Sequence, residues 1–269
     1  MPPTRIPPGS LVGGGHAPDC CCASVLSRAP AQADGYSPPD RVPCRMNSPL
    51  QTRIDTHQFG GVDYHIRCLV DGNQFDDPEG VAEALGISPA SWPFFGMRWP
   101  SGLLLADLVS RLVLGGGRML ELGCGLGIAS LVANARGADI LATDYHPMAA
   151  DFLRDNSTRN ALFPTPFQRL DWRDAQPALG LFDIIIGSDL LYEPDHPALL
   201  SAFLARHSHA GTRVIIVDPR RTRHVRFRRR MEEEGFCSQS EASTPAQLAD
   251  FGFRGVIQRF DGFVPPIAA

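Results

Sequence analysis

The segment 118–128 constrains the fold of this chain more than any other stretch. It reads Arg-Met-Leu-Glu-Leu-Gly-Cys-Gly-Leu-Gly-Ile, a short apolar run followed by a turn with glycine at every second position. Residues 129–135 then have a helical composition. The order strand, tight turn, helix predicts a turn whose backbone can approach a ligand, because Gly123, Gly125 and Gly127 carry no side chains.

The spacing of these glycines distinguishes two kinds of nucleotide site. A dinucleotide fingerprint needs Gly-x-Gly-x-x-Gly or Ala, and counted from Gly123 its last position falls on the bulky Ile128. The pattern Gly-x-Gly-x-Gly after Glu121 instead resembles motif I of the class I S-adenosylmethionine (SAM) methyltransferases. The resemblance implies that the turn lies against the methionine part of SAM and that Glu121 helps to hold its ammonium group. A tight turn without a ligand is the alternative.

Strand and helix patterns alternate from residue 118 onward, as expected of a parallel sheet. The predicted strands are 118–122, 139–143, 167–170, 182–187 and 213–217, with 236–242 and 254–260 as two more. The predicted helices are 103–113, 128–136, 147–160, 197–207 and 222–235. The fold class is α/β, a Rossmann-like doubly wound seven-stranded sheet with helices on both faces. From the resemblance we expect its last strand to be antiparallel.

The chain before this region divides into two parts. Residues 1–45, rich in proline and glycine, are predicted to be disordered and lack a signal-peptide pattern; either they form a flexible tail or translation starts at Met46. Residues 46–90 are predicted to form a small extension, with a strand at 62–70, a turn at 71–73 and a helix at 77–85. Residues 91–269 are expected to form the SAM-dependent methyltransferase domain.

Several predicted strands end in an acid, at the edge where open α/β sheets bind ligands. These acids are Asp144, Asp171, Asp189 and Asp218. Asp144 ends the second strand of the sheet, where it can accept both ribose hydroxyls of a nucleoside. Tyr145, the next residue, is placed to lie along the adenine. Asp218 precedes a proline and is interpreted as a turn residue.

Three further motifs resemble methyltransferase family 16, a group that includes protein-lysine methyltransferases. They are Trp99-Pro100-Ser101-Gly102, Leu170-Asp171-Trp172 and Asp189-Leu190-Leu191-Tyr192. The resemblance implies that Trp99, Asp171, Trp172 and Ser188 line the SAM pocket. It also implies that Asp189 and Tyr192 form the methyl-acceptor site. For the two tryptophans, a packing role in the core is the alternative.

The last of these motifs suits a lysine acceptor. An ammonium group has no lone pair, so it must lose a proton before it attacks the methyl group of SAM. Asp189 can attract the ammonium and orient the amine, and Tyr192 can hydrogen-bond it or wall it in. We therefore predict a SAM-dependent N-methyltransferase that acts on a protein, lysine first. A small-molecule or RNA methyltransferase and a non-catalytic SAM-binding partner module are the alternatives.

The segment Arg220–Arg230 is strongly basic and precedes three glutamates on one predicted helix. One interpretation is a solvated face with ion pairs four residues apart, Arg228 with Glu232 and Arg229 with Glu233. The other is a docking surface for an acidic protein or RNA.

Composition bears on nucleic-acid binding, membrane insertion, metal binding and location. The net charge of −4 gives no overall nucleic-acid signature, and there is no run of 18 apolar residues that would predict a membrane span. The seven cysteines lack metal-ligand spacing, so no metal site is expected. Reduced thiols are typical of a cytoplasmic protein, which is the expected location.

Removing residues 1–45 is expected to leave folding and SAM affinity nearly unchanged, because this segment has no periodic apolar pattern to bury. Thermal unfolding and SAM titration of the truncated and full chains test this. A large fall in melting temperature on truncation would contradict it.

Overall fold

A computed structural model describes residues 50–174 and 179–264, so the predictions for residues 1–45 and Met46 lie outside the described ranges. The strands are β1 (Thr52–Phe59), β2 (Val62–Leu69), β3 (Arg118–Leu122), β4 (Asp139–Asp144), β5 (Phe167–Arg169), β6 (Phe182–Ser188), β7 (Ser208–Asp218), β8 (Cys237–Ala242) and β9 (Val256–Asp261). The helices are α1 (Val81–Ala84), α2 (Pro100–Arg111), α3 (Ile128–Ala135), α4 (Ala149–Arg159), α5 (His196–Arg206), α6 (Arg223–Glu233) and α7 (Pro245–Phe251), with a 3-10 helix at Trp92–Gly96. No helix in these ranges is both long and apolar enough to cross a membrane.

Seven strands form the main sheet in the order β5-β4-β3-β6-β7-β9-β8. The five strands from β5 to β7 are parallel, whereas β9 runs antiparallel to both β7 and β8. The predicted α/β class, the seven strands and the antiparallel last strand are confirmed. The chain order reverses between β3 and β6, and in open α/β sheets the ligand crevice lies at such a switch point.

The central strands are buried on both faces. Met119, Ile184 and Ile186 belong to one apolar layer, together with residues of α2 and α3. Leu120 and Ile185 belong to the other layer, together with residues of α5 and α6. Because successive strand residues point to opposite faces, an unbroken apolar run fills both layers.

The region before the sheet departs from the sequence prediction in two ways. Strand β1 was not predicted, because it is mostly exposed and lacks a buried apolar face; Ile54, for example, is 54% exposed. The helix predicted at 77–85 spans only Val81–Ala84. It begins after Gly80, which has a left-handed φ of 65°, and the carboxylate of Asp77 accepts the N–H groups of Ala82 and Glu83.

Two further short elements were also missed. These are the 3-10 helix and α7, which opens with a capping box between Thr244 and Gln247. Both are short segments without a clear apolar period, which is the main signal for helices in a sequence.

Two asparagines, one on α4 and one directly after it, attach the β1–β2 hairpin to the sheet domain. The buried Asn156 accepts the N–H of Arg67 at 2.7 Å and donates to the carbonyls of Arg67 (3.3 Å) and Leu126 (3.2 Å). Asn160 makes the same pair of bonds to the backbone of His65, at 2.8 and 2.9 Å. The side-chain amides thus satisfy the outer edge of β2, which would otherwise carry unpaired backbone groups.

Replacing Asn156 by Ala is expected to lower the free energy of unfolding by about 1–3 kcal/mol, because the buried carbonyl of Leu126 and the part-buried backbone groups of Arg67 lose their partner. The matched control is Asn160→Ala, where the freed backbone groups of His65 lie in an exposed region and can bond to water. Urea unfolding of both variants measures the difference. Equal losses would contradict a special role for the buried amide.

Candidate active site

A cavity of about 640 Å³ opens beside the carboxyl ends of β3, β4 and β6. All the site residues predicted from the sequence line it except Gly127. They are Trp99, Glu121, Gly123, Gly125, Asp144, Tyr145, Asp171, Trp172, Ser188, Asp189 and Tyr192. The structure therefore brings together residues from five separate segments of the chain.

The three glycines of the turn have left-handed backbones, with φ of 57° at Gly123, 52° at Gly125 and 72° at Gly127. A Cβ on Gly123 would lie 2.5 Å from Leu190, one on Gly125 2.8 Å from the carbonyl oxygen of Phe95, and one on Gly127 2.3 Å from Leu153. The sequence suggested that the missing side chains make room for a ligand. In the structure they also make room for neighbouring protein atoms and allow the positive φ, while Gly123 and Gly125 line the cavity.

Glu121 is buried at the end of β3 and is tied to the start of α3. Its Oε2 accepts the N–H of Ser130 at 2.8 Å and also the Ser130 hydroxyl. Burial raises the pKa of Glu121 to about 7, and the two bonds from Ser130 oppose this rise. One oxygen is therefore structural, while Oε1 takes no hydrogen bond from the described residues.

Asp144 holds the other side of the glycine turn. Its Oδ2 accepts the N–H of Gly125 at 2.7 Å, and its Oδ1 accepts the N–H of His146 at 2.8 Å. Burial raises the pKa of this carboxyl, against the effect of the backbone bonds. Each carboxylate oxygen can accept more than one bond, so Asp144 can shape the turn and still bind hydroxyl groups in the cavity.

Aromatic residues form much of the cavity wall. The Trp99 indole donates to the carbonyl of Phe94 at 2.9 Å, and the Tyr145 hydroxyl donates to the carbonyl of Leu85 at 2.6 Å. The bond from Tyr145 holds the segment 85–91, which the sequence did not assign to the site. The residues of this segment that line the cavity are Leu85, Gly86, Ile87, Ser88 and Ser91.

The carboxylate of Asp189 is held from two sides. Its Oδ2 accepts the hydroxyl of Ser101 at 3.1 Å, and its Oδ1 pairs with the guanidinium of Arg221. Asp189 has a left-handed φ of 59°, as has Arg220 at 65°, and a non-glycine residue in this region stores strain. Sequence reasoning missed Arg221, because its position in a run of arginines hid its individual role.

Asp218 helps to place Arg221. It is fully buried, does not line the cavity, and accepts the N–H of Arg221 at 2.9 Å. This agrees with the turn role predicted for Asp218, and burial raises the pKa of its carboxyl.

Tyr192 belongs to a row of aromatic rings along the cavity mouth. Neighbouring rings in this row pack edge to face. The distances between ring centroids are 5.8 Å for Trp99–Phe94, 6.0 Å for Phe94–Tyr192, 4.6 Å for Tyr192–His196 and 5.3 Å for His196–Trp172. Desolvation and nearby carboxylates raise the pKa of Tyr192 to about 12, so its hydroxyl stays protonated at neutral pH. Phe94 and His196 carry no spacing signal that sequence reasoning could have used.

The basic helix α6 lies after the loop that carries Arg221. The predicted pairs are present, with 3.9 Å between Arg228 and Glu232 and 3.1 Å between Arg229 and Glu233. Arg226, Arg229 and Arg230 also border a shallow depression on this helix. Among the described residues, no group of three histidine, cysteine or acidic side chains could hold a metal ion.

The family model described as lysine methyltransferase matches residues 99–237. The electron transfer flavoprotein beta subunit lysine methyltransferase of Xenopus laevis is 35% identical over 140 residues, which cover 49% of this chain and 55% of that protein. The protein N-lysine methyltransferase METTL21A of Xenopus tropicalis is 30% identical over 129 residues, covering 45% and 59%. The chain thus spans little more than half the length of these curated relatives.

Two solved structures share the fold. The ribosomal protein L11 methylase of Lactobacillus delbrueckii gives a TM-score of 0.50 at 18% identity, covering 62% of this chain and 81% of that one. The 16S rRNA N2 G1207 methyltransferase of T. thermophilus gives a TM-score of 0.54 at 16% identity. The match covers 79% of this chain and 51% of that one. Since the family model spans more than half of the chain, with the cavity residues from Trp99 to Arg221 inside the match, this chain belongs to the lysine methyltransferase family.

Proposed function

We propose that this chain is a SAM-dependent methyltransferase that transfers a methyl group to the side-chain nitrogen of a lysine in a protein. One observation carries the proposal. The glycine turn with Glu121 and Asp144 opens on the same cavity as Asp189 and Tyr192. A cofactor end and an acceptor end in one cavity are what a direct transfer between two bound substrates needs.

The residues at the cofactor end fit SAM. Its ammonium and sulfonium groups are cationic, and burial raises the pKa values of Glu121 and Asp144, so a bound cation would favour their charged forms. Asp144 can accept the ribose hydroxyls, and Tyr145 and Trp172 offer flat faces for a purine. When bound, SAM supplies an electrophilic methyl group.

Charge at the cavity mouth favours a cationic acceptor over an RNA phosphate backbone. Asp171, Glu193 and Asp195 line the rim, and Arg173 pairs with Asp195 at 3.1 Å and lies 3.7 Å from Asp171. The negative charge of Asp189 is balanced by its ion pair with Arg221. The rim therefore keeps an excess of negative charge, which attracts a lysine side chain and repels an anion.

The acceptor protein would also contact α6. Two of its arginines are paired with glutamates on the same helix, but the surface still presents Arg226 and Arg230 beside the depression. We propose that this basic surface docks an acidic patch of the acceptor protein, while the acidic mouth receives the lysine.

Labelled SAM distinguishes this function from its alternatives. The wild-type chain is incubated with methyl-labelled SAM and a desalted extract of cells that lack the gene, and a blank without enzyme gives the background. Label in protein, recovered as methyl-lysine after hydrolysis, is expected. Label only in RNA or small molecules would replace the lysine assignment, and SAM binding without any transfer would favour a non-catalytic module.

Asp144→Ala is expected to weaken SAM binding by about 10- to 100-fold, which corresponds to roughly 1–3 kcal/mol for hydroxyls left without an acceptor. It should also lower the melting temperature, because the N–H groups of Gly125 and His146 lose their acceptor. Calorimetric SAM titration measures the affinity. The control Asp139→Ala, at the opposite end of β4, should stay within about twofold of wild type.

Unchanged SAM affinity in Asp144→Ala would remove this residue from the cofactor site. A loss of stability alone would leave it only the role of holding the glycine turn.

Asp189→Asn keeps the shape of the side chain but deletes its charge. Methyl transfer should fall by roughly 10²-fold, while SAM affinity should change by no more than about twofold. Single-turnover transfer from labelled SAM and SAM titration provide the two readouts. Asp183→Asn, at the other end of β6, is the matched control and should transfer normally. Loss of SAM binding with normal turnover at saturating SAM would make Asp189 a cofactor residue instead.

A further inference from the structure

Two histidines lie in the cavity wall, and sequence reasoning assigned neither of them to the site. His146 follows β4 by two residues, and His196 is the first residue of α5. Both are buried, and burial lowers the pKa of each, to about 4 for His146. Both rings are therefore neutral at physiological pH, and the hydrogen bonds of each ring fix which nitrogen carries the proton.

The hydrogen bonds give the two rings opposite tautomers. Nδ1 of His146 accepts the N–H of Met148 at 3.2 Å, so its proton is on Nε2. Nδ1 of His196 lies 2.6 Å from the carbonyl oxygen of Leu190, which can only accept, so here the proton is on Nδ1. His196 thus has a free lone pair on Nε2, and His146 has none to offer.

The surroundings of the two Nε2 atoms also differ. That of His146 is fully buried without a partner. That of His196 makes no hydrogen bond within the described part of the chain and is not among the fully buried unpartnered atoms. Its ring contacts Tyr192 edge to face at 4.6 Å, beside the predicted acceptor site.

Most of the other groups at the acceptor end are already paired with a cation or already carry a proton. The charge of Asp189 is already matched by the guanidinium of Arg221, and its other oxygen accepts the Ser101 hydroxyl. Tyr192 keeps its own proton, because the pKa of its hydroxyl is raised to about 12. Asp195 on the rim is paired with Arg173. Glu193 is exposed to solvent at the rim of the cavity.

We propose that His196 is a catalytic residue whose Nε2 takes the proton from the acceptor ammonium; this rests on the lysine-directed function proposed above. The N–H bond of the ammonium breaks as the Nε2–H bond forms, which leaves a lone pair on the acceptor nitrogen. That lone pair then bonds to the methyl carbon while the carbon–sulfur bond breaks, and its electron pair stays on sulfur. The imidazolium returns its proton to water at the cavity mouth.

The charges around His196 support this cycle. Glu193 and Asp195 precede it on the same segment, and both favour the imidazolium. Arg173, on the segment after β5, opposes it, and burial of the ring opposes it more strongly. The remaining ring neighbours, Tyr192 and Trp172, are uncharged at neutral pH. The ring is therefore neutral before the reaction, and two carboxylates stabilise it while it holds the proton.

His196→Asn is the sharpest test. The asparagine amide can still donate to the carbonyl of Leu190 from the position of Nδ1, but it has no basic nitrogen in place of Nε2. Transfer of labelled methyl groups into protein of the desalted extract is measured from pH 7 to pH 10. We expect a loss of roughly 10²-fold at pH 7.5. The loss should shrink toward pH 10, because free lysine has a pKa of about 10.4 and then binds partly as the amine.

His207→Asn is the matched control. His207, at the other end of α5, makes the same kind of Nδ1 bond, to the carbonyl of Gly180 at 2.8 Å, but does not line the cavity. This variant should transfer normally at every pH. His196→Gln, whose amide cannot take up a proton, should repeat the pH-dependent loss if His196→Asn is unstable.

Three results would overturn the proposal. They are normal transfer by His196→Asn at pH 7.5, a loss that is the same at every pH, and a reduced SAM affinity that accounts for the loss. Failure of the wild-type chain to label protein at any pH would instead reject the proposed function itself. The two failures are therefore distinguishable.

Discussion

The site depends first on the glycine turn between β3 and α3, which is enclosed by protein on several sides. The space that side chains at its three glycines would need is occupied by Leu190 from the loop after β6, the Phe95 carbonyl from the 3-10 helix and Leu153 from α4. Asp144 draws the turn toward β4 through the N–H of Gly125. Asn156 reaches the same turn through the Leu126 carbonyl and joins it to the hairpin. A bulkier turn would therefore displace Leu190 and Phe95, which line the cavity.

The proposed acceptor end is built differently: residues distant in the sequence bind the side chain of Asp189, whose backbone is strained. Asp189 and Arg220 both have left-handed φ angles, and such residues persist only where the surroundings hold them. Ser101, from the first turn of α2, and Arg221, from the loop after β7, both bind the Asp189 carboxylate. This charge is therefore fixed in place before any acceptor arrives, which lowers the cost of reorganisation during the reaction.

This contrast explains what the sequence could predict. The parallel strands and the positions of Glu121, the glycines and Asp144 at their ends follow from local apolar patterns, whereas the assignment of this end to SAM came from the resemblance to methyltransferase motif I. Strand β1 could not be predicted in this way, because its exposed residues lack an apolar face. Arg221 and His196 acquire their roles only through contacts with Asp189 and Leu190, and the sequence shows no period or spacing that links them.

The protein neighbours of the glycines were also beyond the sequence. Their spacing indicated a ligand turn, but the atoms that exclude a Cβ come from Phe95, Leu153 and Leu190, which are distant from the turn in the chain. The same spatial arrangement brings Phe94 against Tyr192 and Tyr192 against His196. In the proposed reaction the lysine ammonium enters beside Phe94 and Tyr192, whose rings can attract a cation but cannot accept its protons. This mouth then receives the charged lysine, and removal of its proton falls to His196, the neutral histidine of the described wall whose unprotonated Nε2 has no hydrogen-bond partner there.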